Sequence, residues 1–253
     1  MDRDQCRRGV AKSDMIGKRR VGSNLTALFM VSVLLPACAT TGSIDEYSDP
    51  FEKYNRAVYK FNDGVDRVLL KPVARGYRKI IPSPVRRSVG NFFRNLLEPT
   101  TIINDILQGK FEHAVTDTAR LVFNTSFGLL GIFDVATGMG IERHREDFGQ
   151  TFAVWGFKPG PYIMLPFIGP TNIRDGIGLL PYYLATDPRL YNSNSSVNLA
   201  LIVVNAVDTR AQLLTGSKLL ELQLDPYAFL RETYNQRRIN LIFDGDPPLE
   251  DFE

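Results

Sequence analysis

Apolar residues recur along this chain at alternating steps of three and four, the spacing that gathers them on one side of an α-helix. The first series runs Phe51, Tyr54, Val58, Phe61, Val65 and Val68, with Asp49-Pro50 ahead of it as cap and first-turn proline. Lys71-Pro72 is expected to close this helix, because proline has no N–H with which to continue one. Ser83-Pro84 opens a second helix in the same way. Its stripe is Val85, Val89, Phe92, Phe93, Leu96 and Leu97, with Arg86, Arg87 and Arg94 off it. Glu98-Pro99 reads as a break, followed by a short helix carrying Ile102, Ile103, Ile106 and Leu107 and closed by Gly109. Residues 111–123 are helical again, with Ala114, Val115, Thr118, Leu121 and Val122 expected inward. Periodicity resumes with Val197, Leu201, Val204, Val207, Ala211 and Leu214, and a last helix after Asp225-Pro226 carries Tyr227, Leu230 and Tyr234. No period-two alternation and no internal repeat appears. The expected fold class is all-α, a single domain of amphipathic helices over residues 49–240.

Two middle stretches break this pattern. Residues 127–141 are apolar and glycine-rich with one charge, Asp134, and are too short to span a bilayer. Residues 148–170 combine Gly149, Gly156, Gly160 and Gly169 with four prolines and six aromatics, Trp155 among them. So much glycine and proline excludes a long helix. An apolar segment bent back on itself fits, with Gly156 and Lys158-Pro159-Gly160 as the natural turn. Two readings stand side by side: these stretches form the core of the domain, or they lie in the plane of a membrane interface beside a lipid-lined passage.

The N-terminus has the layout of a bacterial signal peptide over residues 1–37. Lys18, Arg19 and Arg20 precede an apolar run, Val21–Leu35, that ends in Leu35-Pro36-Ala37-Cys38. Met15 is a more compact starting point than Met1, whose first residues add Asp2, Asp4 and Asp14. Leu35, Ala37 and Cys38 fit a lipobox, so Cys38 is the expected lipid anchor. Three acyl chains on one cysteine exceed the two signals that stable anchoring takes. Residues 38–48 then form a lipidated tether. Ala39 after the anchor points to the outer membrane. Residues 241–253, with Pro247-Pro248 and a terminal cluster of acids, read as a disordered acidic tail. Residues 1–37 hold 7 of the 30 basic and 3 of the 28 acidic residues, leaving a mature chain of 23 against 25. The basic balance of the whole chain is therefore no argument for nucleic acid. Cys6 and Cys38 are the only cysteines, so no disulfide forms in the mature protein.

Searches for catalytic chemistry come back nearly empty. His113 and His144 are the only histidines, and no His-Glu-x-x-His, Gly-x-Ser-x-Gly, phosphate loop or dinucleotide-binding glycine pattern occurs. Glu142-Arg143-His144-Arg145-Glu146-Asp147 reads as a solvated loop of alternating sign, and His113 as a surface residue. A metal site would lack a third soft ligand. No enzyme, no metal and no cofactor is expected.

The residues themselves resemble a known family. Asp49 to Arg56, Val89 to Leu96, Glu98-Pro99, Leu107-Gln108-Gly109 and Arg120 to Asn124 are similar to motifs of the VacJ/MlaA lipoproteins. Phe133 to Ala136, Phe148 to Thr151, Gly160-Pro161-Tyr162, Leu165-Pro166-Phe167, Arg174-Asp175, Thr209 to Leu214 and Asp225-Pro226-Tyr227 continue the series in order. The resemblance implies an outer-membrane lipoprotein of a Gram-negative bacterium, anchored in the periplasmic leaflet. It also implies a ring of helices in that leaflet with a central amphipathic channel. Phospholipids misplaced in the outer leaflet would enter it and pass to a soluble periplasmic carrier of the Mla pathway, preserving lipid asymmetry. Trimeric porins would be partners. A non-transporting scaffold that binds porins is the alternative. Gly156, Gly160, Trp155, Phe127, Leu130 and Phe133 are the candidate channel and hinge residues that the resemblance suggests.

Overall fold

The computed structural model describes residues 49–190 and 193–248. The chain divides after residue 43 into two units, and all the described residues belong to the second. The signal peptide, Met15, Cys38, the tether and residues 249–253 lie outside them. Helices dominate, in the order α1 (Glu52–Val65), α2 (Lys71–Ile80), α3 (Ser83–Gln108), α4 (Phe111–Ser126), α5 (Val135–Gly138) and α6 (Phe148–Val154). A hairpin of β1 (Tyr162–Leu165) and β2 (Gly169–Asn172) follows, then α7 (Ile173–Pro181), α8 (Ser195–Leu213), α9 (Gly216–Glu221) and α10 (Pro226–Ile242).

Two expected breaks are absent. Pro72 does not end the first helix: α1 continues through a π-turn, Asp66–Leu70, into α2, where Pro72 sits in the first turn. The π-turn lets the continuous helix pass Pro72, whose ring lacks the N–H that would otherwise donate one turn back. Pro99 lies inside α3, which runs unbroken for 26 residues. An interior proline costs roughly 3 kcal/mol. Tertiary contacts on both sides of Pro99 outweigh that penalty, because α3 packs along α4 and also touches α6 and α8.

The other departure from the all-α expectation is the hairpin, whose strands pair antiparallel with Tyr162 opposite Asn172 and Leu165 opposite Gly169. The chain reverses at residues 166–168, with Phe167 in the left-handed region (φ 63°). An isolated two-stranded hairpin is marginal in water, and α1 supplies what it lacks. Asn55 Nδ2 donates to the Tyr162 carbonyl (3.0 Å) and Asn55 Oδ1 accepts from Met164 N (2.8 Å). Two turns later Asn62 repeats the pair with the Leu165 carbonyl (3.0 Å) and Phe167 N (2.9 Å). Seven residues of helix rise about 10.5 Å, and three residues of strand extend about 10 Å. The two asparagines thus stand in for a third strand along the free edge of β1.

Burial is inverted relative to a water-soluble domain. Among the described residues 22 buried side chains are polar or charged and 10 are hydrophobic, so greasy packing does not dominate the inside. Two small apolar clusters exist. Ala74, Ala211 and Leu214 join α2 to α8, with Tyr77 against them. Tyr162, Met164 and Tyr227 join the hairpin to α10, with Val58 and Tyr59 of α1 alongside. The apolar stripes largely face outward instead. Phe51, Tyr54, Phe61 and Val68 are exposed on the α1 side, as are Val115 and Val122 of α4, which were expected inward. The inward face of α4 is Ala114, Asp117, Arg120 and Asn124.

Candidate functional site

The inward faces of α3 and α4 carry polar residues at helical spacing: Asn91, Asn95, Glu98, Asp105 and Gln108 on one, Asp117, Arg120 and Asn124 on the other. Packed together they form a polar seam. Arg120, 3 % exposed, anchors its middle. It donates to Asp134 Oδ1 (3.0 Å), Thr137 Oγ1 (3.2 Å) and the Ile141 carbonyl, and lies 3.8 Å from Glu98 Oε1. Arg143 reaches the other oxygen of Glu98 at 3.2 Å. Burial pushes the Glu98 carboxyl above the usual carboxylate range, an effect that the Arg143 charge opposes. Buried polar atoms without a hydrogen-bond partner concentrate here: Asn95 Oδ1, Glu98 Oε1, Gln108 Oε1 and Arg120 Nε. Interiors rarely leave such groups unpaired unless water or a ligand serves them.

Beside the seam, at the α8 side, lies a cavity of about 310 Å³ lined by Arg78, Arg86, Arg87, Arg94, Asp208 and Gln212, among others. That volume is at the lower end of small-molecule pockets. Arg94 also lines a separate narrow cleft with Asn95, Glu98 and Arg120. Nine other arginines of the described residues hold carboxylates, but these four have none within 4.0 Å. Arg86 donates to the Arg78 carbonyl (2.9 Å), and Arg94 to Asn91 Oδ1. Burial, followed by the charge of Arg143, makes the Arg94 proton less tightly held than usual. A half-buried guanidinium with no carboxylate partner is a ready site for phosphate or carboxylate.

The residues singled out from the sequence lie around this seam, not in it. Phe127, Leu130 and Phe133 are exposed, on a loop whose backbone faces α3. Gly131 lets that loop approach: it sits at φ 87°, and a Cβ there would fall 2.3 Å from the Asn95 side chain. Asn91 Nδ2 holds the Ile132 carbonyl at 3.2 Å. Trp155 is half-exposed and donates from Nε1 to the Leu107 carbonyl at the end of α3 (3.0 Å). Gly156 (φ 89°) and Gly160 (φ 66°) are both in the left-handed region, as a turn there requires. The two middle stretches divide between the readings: Phe127, Leu129, Leu130 and Phe133 of the first stand outside the core, whereas the second contributes Phe148, Tyr162 and Met164 to it and leaves Trp155, Phe157 and Phe167 exposed.

Sequence reasoning left Arg86, Arg87 and Arg94 as the off-stripe face of a helix and singled out neither Arg78 nor the seam. The regular spacing of its polar residues was the signal available. At the far end of the seam the donor atoms of Asp105, His113 and Glu146 converge within 4.8 Å of one another. Residues 142–147 are not wholly a solvated loop, since Glu146 is buried. His113 is not a free surface residue either, because its ring stacks on His144 at 3.8 Å and 6°.

Comparison with known proteins supplies the family. The sequence pattern described as MlaA lipoprotein matches residues 47–240. The intermembrane phospholipid transport system lipoprotein MlaA of Escherichia coli (strain K12) is 37% identical over 223 residues, covering 84% of this chain and 86% of that one. The protein of that name from Haemophilus influenzae is 33% identical over 227 residues, covering 87% and 90%. An uncharacterized protein of Rickettsia typhi is 33% identical over 198 residues, covering 78% of each. A solved chain described under "Structural basis for maintenance of bacterial outer membrane lipid asymmetry" superposes with a TM-score of 0.67 at 34% identity, covering 79% of this chain and all of that one. With the order of motifs, the helical architecture and these relatives in agreement, the chain belongs to the MlaA lipoprotein family.

Proposed function

We propose that this chain is an outer-membrane lipoprotein that takes misplaced phospholipids from the outer leaflet and hands them to a periplasmic carrier of the same pathway, preserving lipid asymmetry. The observation that carries the reading is the inversion of the domain: apolar side chains outside, a polar seam inside, and an arginine cavity beside that seam. No described helix is long and apolar enough to cross a membrane, so the body would sit within one leaflet, its apolar exterior in lipid tails. The relatives named as phospholipid transport lipoproteins support this role, and Cys38 would supply the lipid anchor.

A phospholipid must move its charged head past a layer that excludes charge. Arg78, Arg86, Arg87 and Arg94 would take the phosphate, and the seam would continue the polar path inward as a channel. Acyl chains would slide along the exposed apolar wall of Phe127, Leu130, Phe133 and Trp155. Gly156 and Gly160 bracket Phe157–Pro159 and would be the pivots of any swing of that segment. The remaining apolar exterior would rest against trimeric porins. No bond is made or broken in this role.

Charge reversal at the cavity tests it. Arg78→Glu and Arg87→Glu change exposed side chains, so the fold should survive. Losing a charge-assisted hydrogen bond to phosphate costs about 1.5–3 kcal/mol, so each should weaken phospholipid binding by about tenfold or more. In cells lacking the protein, phospholipid should accumulate in the outer leaflet. The wild type should clear it and the double variant should not. A deletion strain with an unchanged outer leaflet sinks the proposal, and full rescue by the double variant sinks the role of the cavity.

A further inference from the structure

We propose that Asp105, His113 and Glu146 form a binding site for one divalent transition-metal cation, with Zn²⁺ as the fitting species. The three come from separate places: the last turn of α3, the first turn of α4 and the segment entering α6. One imidazole nitrogen and two carboxylate oxygens lie mutually within 4.8 Å. Ligands around a tetrahedral zinc with bonds of about 2.1 Å stand roughly 3.4 Å apart. Side-chain adjustments of under about 1 Å, well within rotamer freedom, would close the set.

Independent of that convergence, two of the three residues carry buried polar atoms without hydrogen-bond partners. Asp105 is completely buried, yet neither carboxylate oxygen accepts a hydrogen bond, and His113 Nδ1 is also buried and unpaired. A buried carboxylate normally has donors on both oxygens. A cation held between Asp105 and His113 would give these buried groups a partner.

Glu146 is already oriented for the role. Gln108 Nε2 donates to its Oε2 (2.7 Å) and Lys110 Nζ to its Oε1 (2.9 Å). Each oxygen keeps a second lone pair for a metal, and such outer hydrogen bonds are how ligating carboxylates are held. The Lys110 charge does not repel the cation unopposed, since Asp244 Oδ1 lies 2.6 Å from the same ammonium. Mixed imidazole and carboxylate donors suit Zn²⁺ and its neighbours, whereas Ca²⁺ and Mg²⁺ seek six or more oxygens. A metal here would staple α3, α4 and the approach to α6, closing one end of the seam. This inference does not depend on the lipid role, and its test is blind to lipid.

The test uses the full chain purified from membranes in detergent and stripped with chelator. Titration with Zn²⁺ should give one ion per chain and raise the melting temperature. Asp105→Asn and His113→Gln should each weaken binding by more than about tenfold. Asp105→Asn should also melt higher than the stripped wild type, because it removes a carboxylate that no donor supports, and should show no zinc response. If Asp105→Asn does not fold, His113→Gln decides alone, since its side chain is partly exposed. Absence of one-to-one binding at micromolar zinc overturns the site. So does undiminished binding in both variants, which would place the metal elsewhere on the chain.

Discussion

Replacing Arg120 with leucine should lower folding stability by about 3–5 kcal/mol, the scale for breaking a buried ion pair from one side. The hydrophobic replacement does not offset this, because Glu98 and Asp134 remain, selected by the fold to face a cation. Asp134 keeps Asn124 and Thr137, and it still caps α5. Glu98 keeps Arg143 but loses the second guanidinium, 3.8 Å away. Its carboxyl is already raised by burial, and the substitution raises it further. A carboxyl raised in the folded state favours folding once protonated. The deficit should therefore be largest at neutral pH and shrink on acidification through the window between the ordinary carboxylate range and the raised Glu98 value. Denaturant melts in micelles at pH 7.5 and pH 5 would show both effects. A loss under about 1 kcal/mol, or one independent of pH, would mean that water already carries the Glu98 charge.

Helix positions were largely legible because apolar residues recur at steps of three and four, most clearly along α1 and the first half of α3. Which side of each helix faces inward was not. A stripe at steps of three and four points in one direction whether it meets a protein core or lipid tails, and only tertiary structure shows that Val115 faces out and Asp117 in. The prolines misled for a local reason. Pro72 occupies a first turn reached through a π-turn, and Pro99 is tolerated by packing that no local rule contains. Left-handed glycines at 156 and 160 could be anticipated, yet the true reversal lies at residues 166–168, where Phe167 takes an angle that disfavours it. The hairpin escaped because Gly169-Pro170-Thr171-Asn172 carries no alternation. The three-residue cation set escaped because its members stand 8 and 33 residues apart along the chain.

Asn55 and Asn62 stand seven residues apart in plain view, but their meaning needs the edge of β1 beside them. Asn55→Ala should cost about 2–5 kcal/mol. It leaves the Met164 N–H and the Tyr162 carbonyl without partners where Asn55 is completely buried, and each orphaned group costs about 1–3 kcal/mol. Asn62→Ala removes the same two bonds from Leu165 and Phe167, but Asn62 is only partly buried and Phe167 is exposed. Water can replace what is lost there, so about 1 kcal/mol is expected. Asn55→Asp separates the two halves of the contact. Its carboxylate still accepts from Met164 N but opposes the Tyr162 carbonyl and Asp49, whose Oδ1 lies 2.8 Å from the Asn55 amide nitrogen. Protonation would restore a donor, so this variant alone should gain stability as the pH falls. Thermal melts of the three proteins side by side separate the explanations. Equal losses for Asn55→Ala and Asn62→Ala would mean that burial does not set the strength of this edge, and that the helix holds the hairpin by packing instead of by its amides.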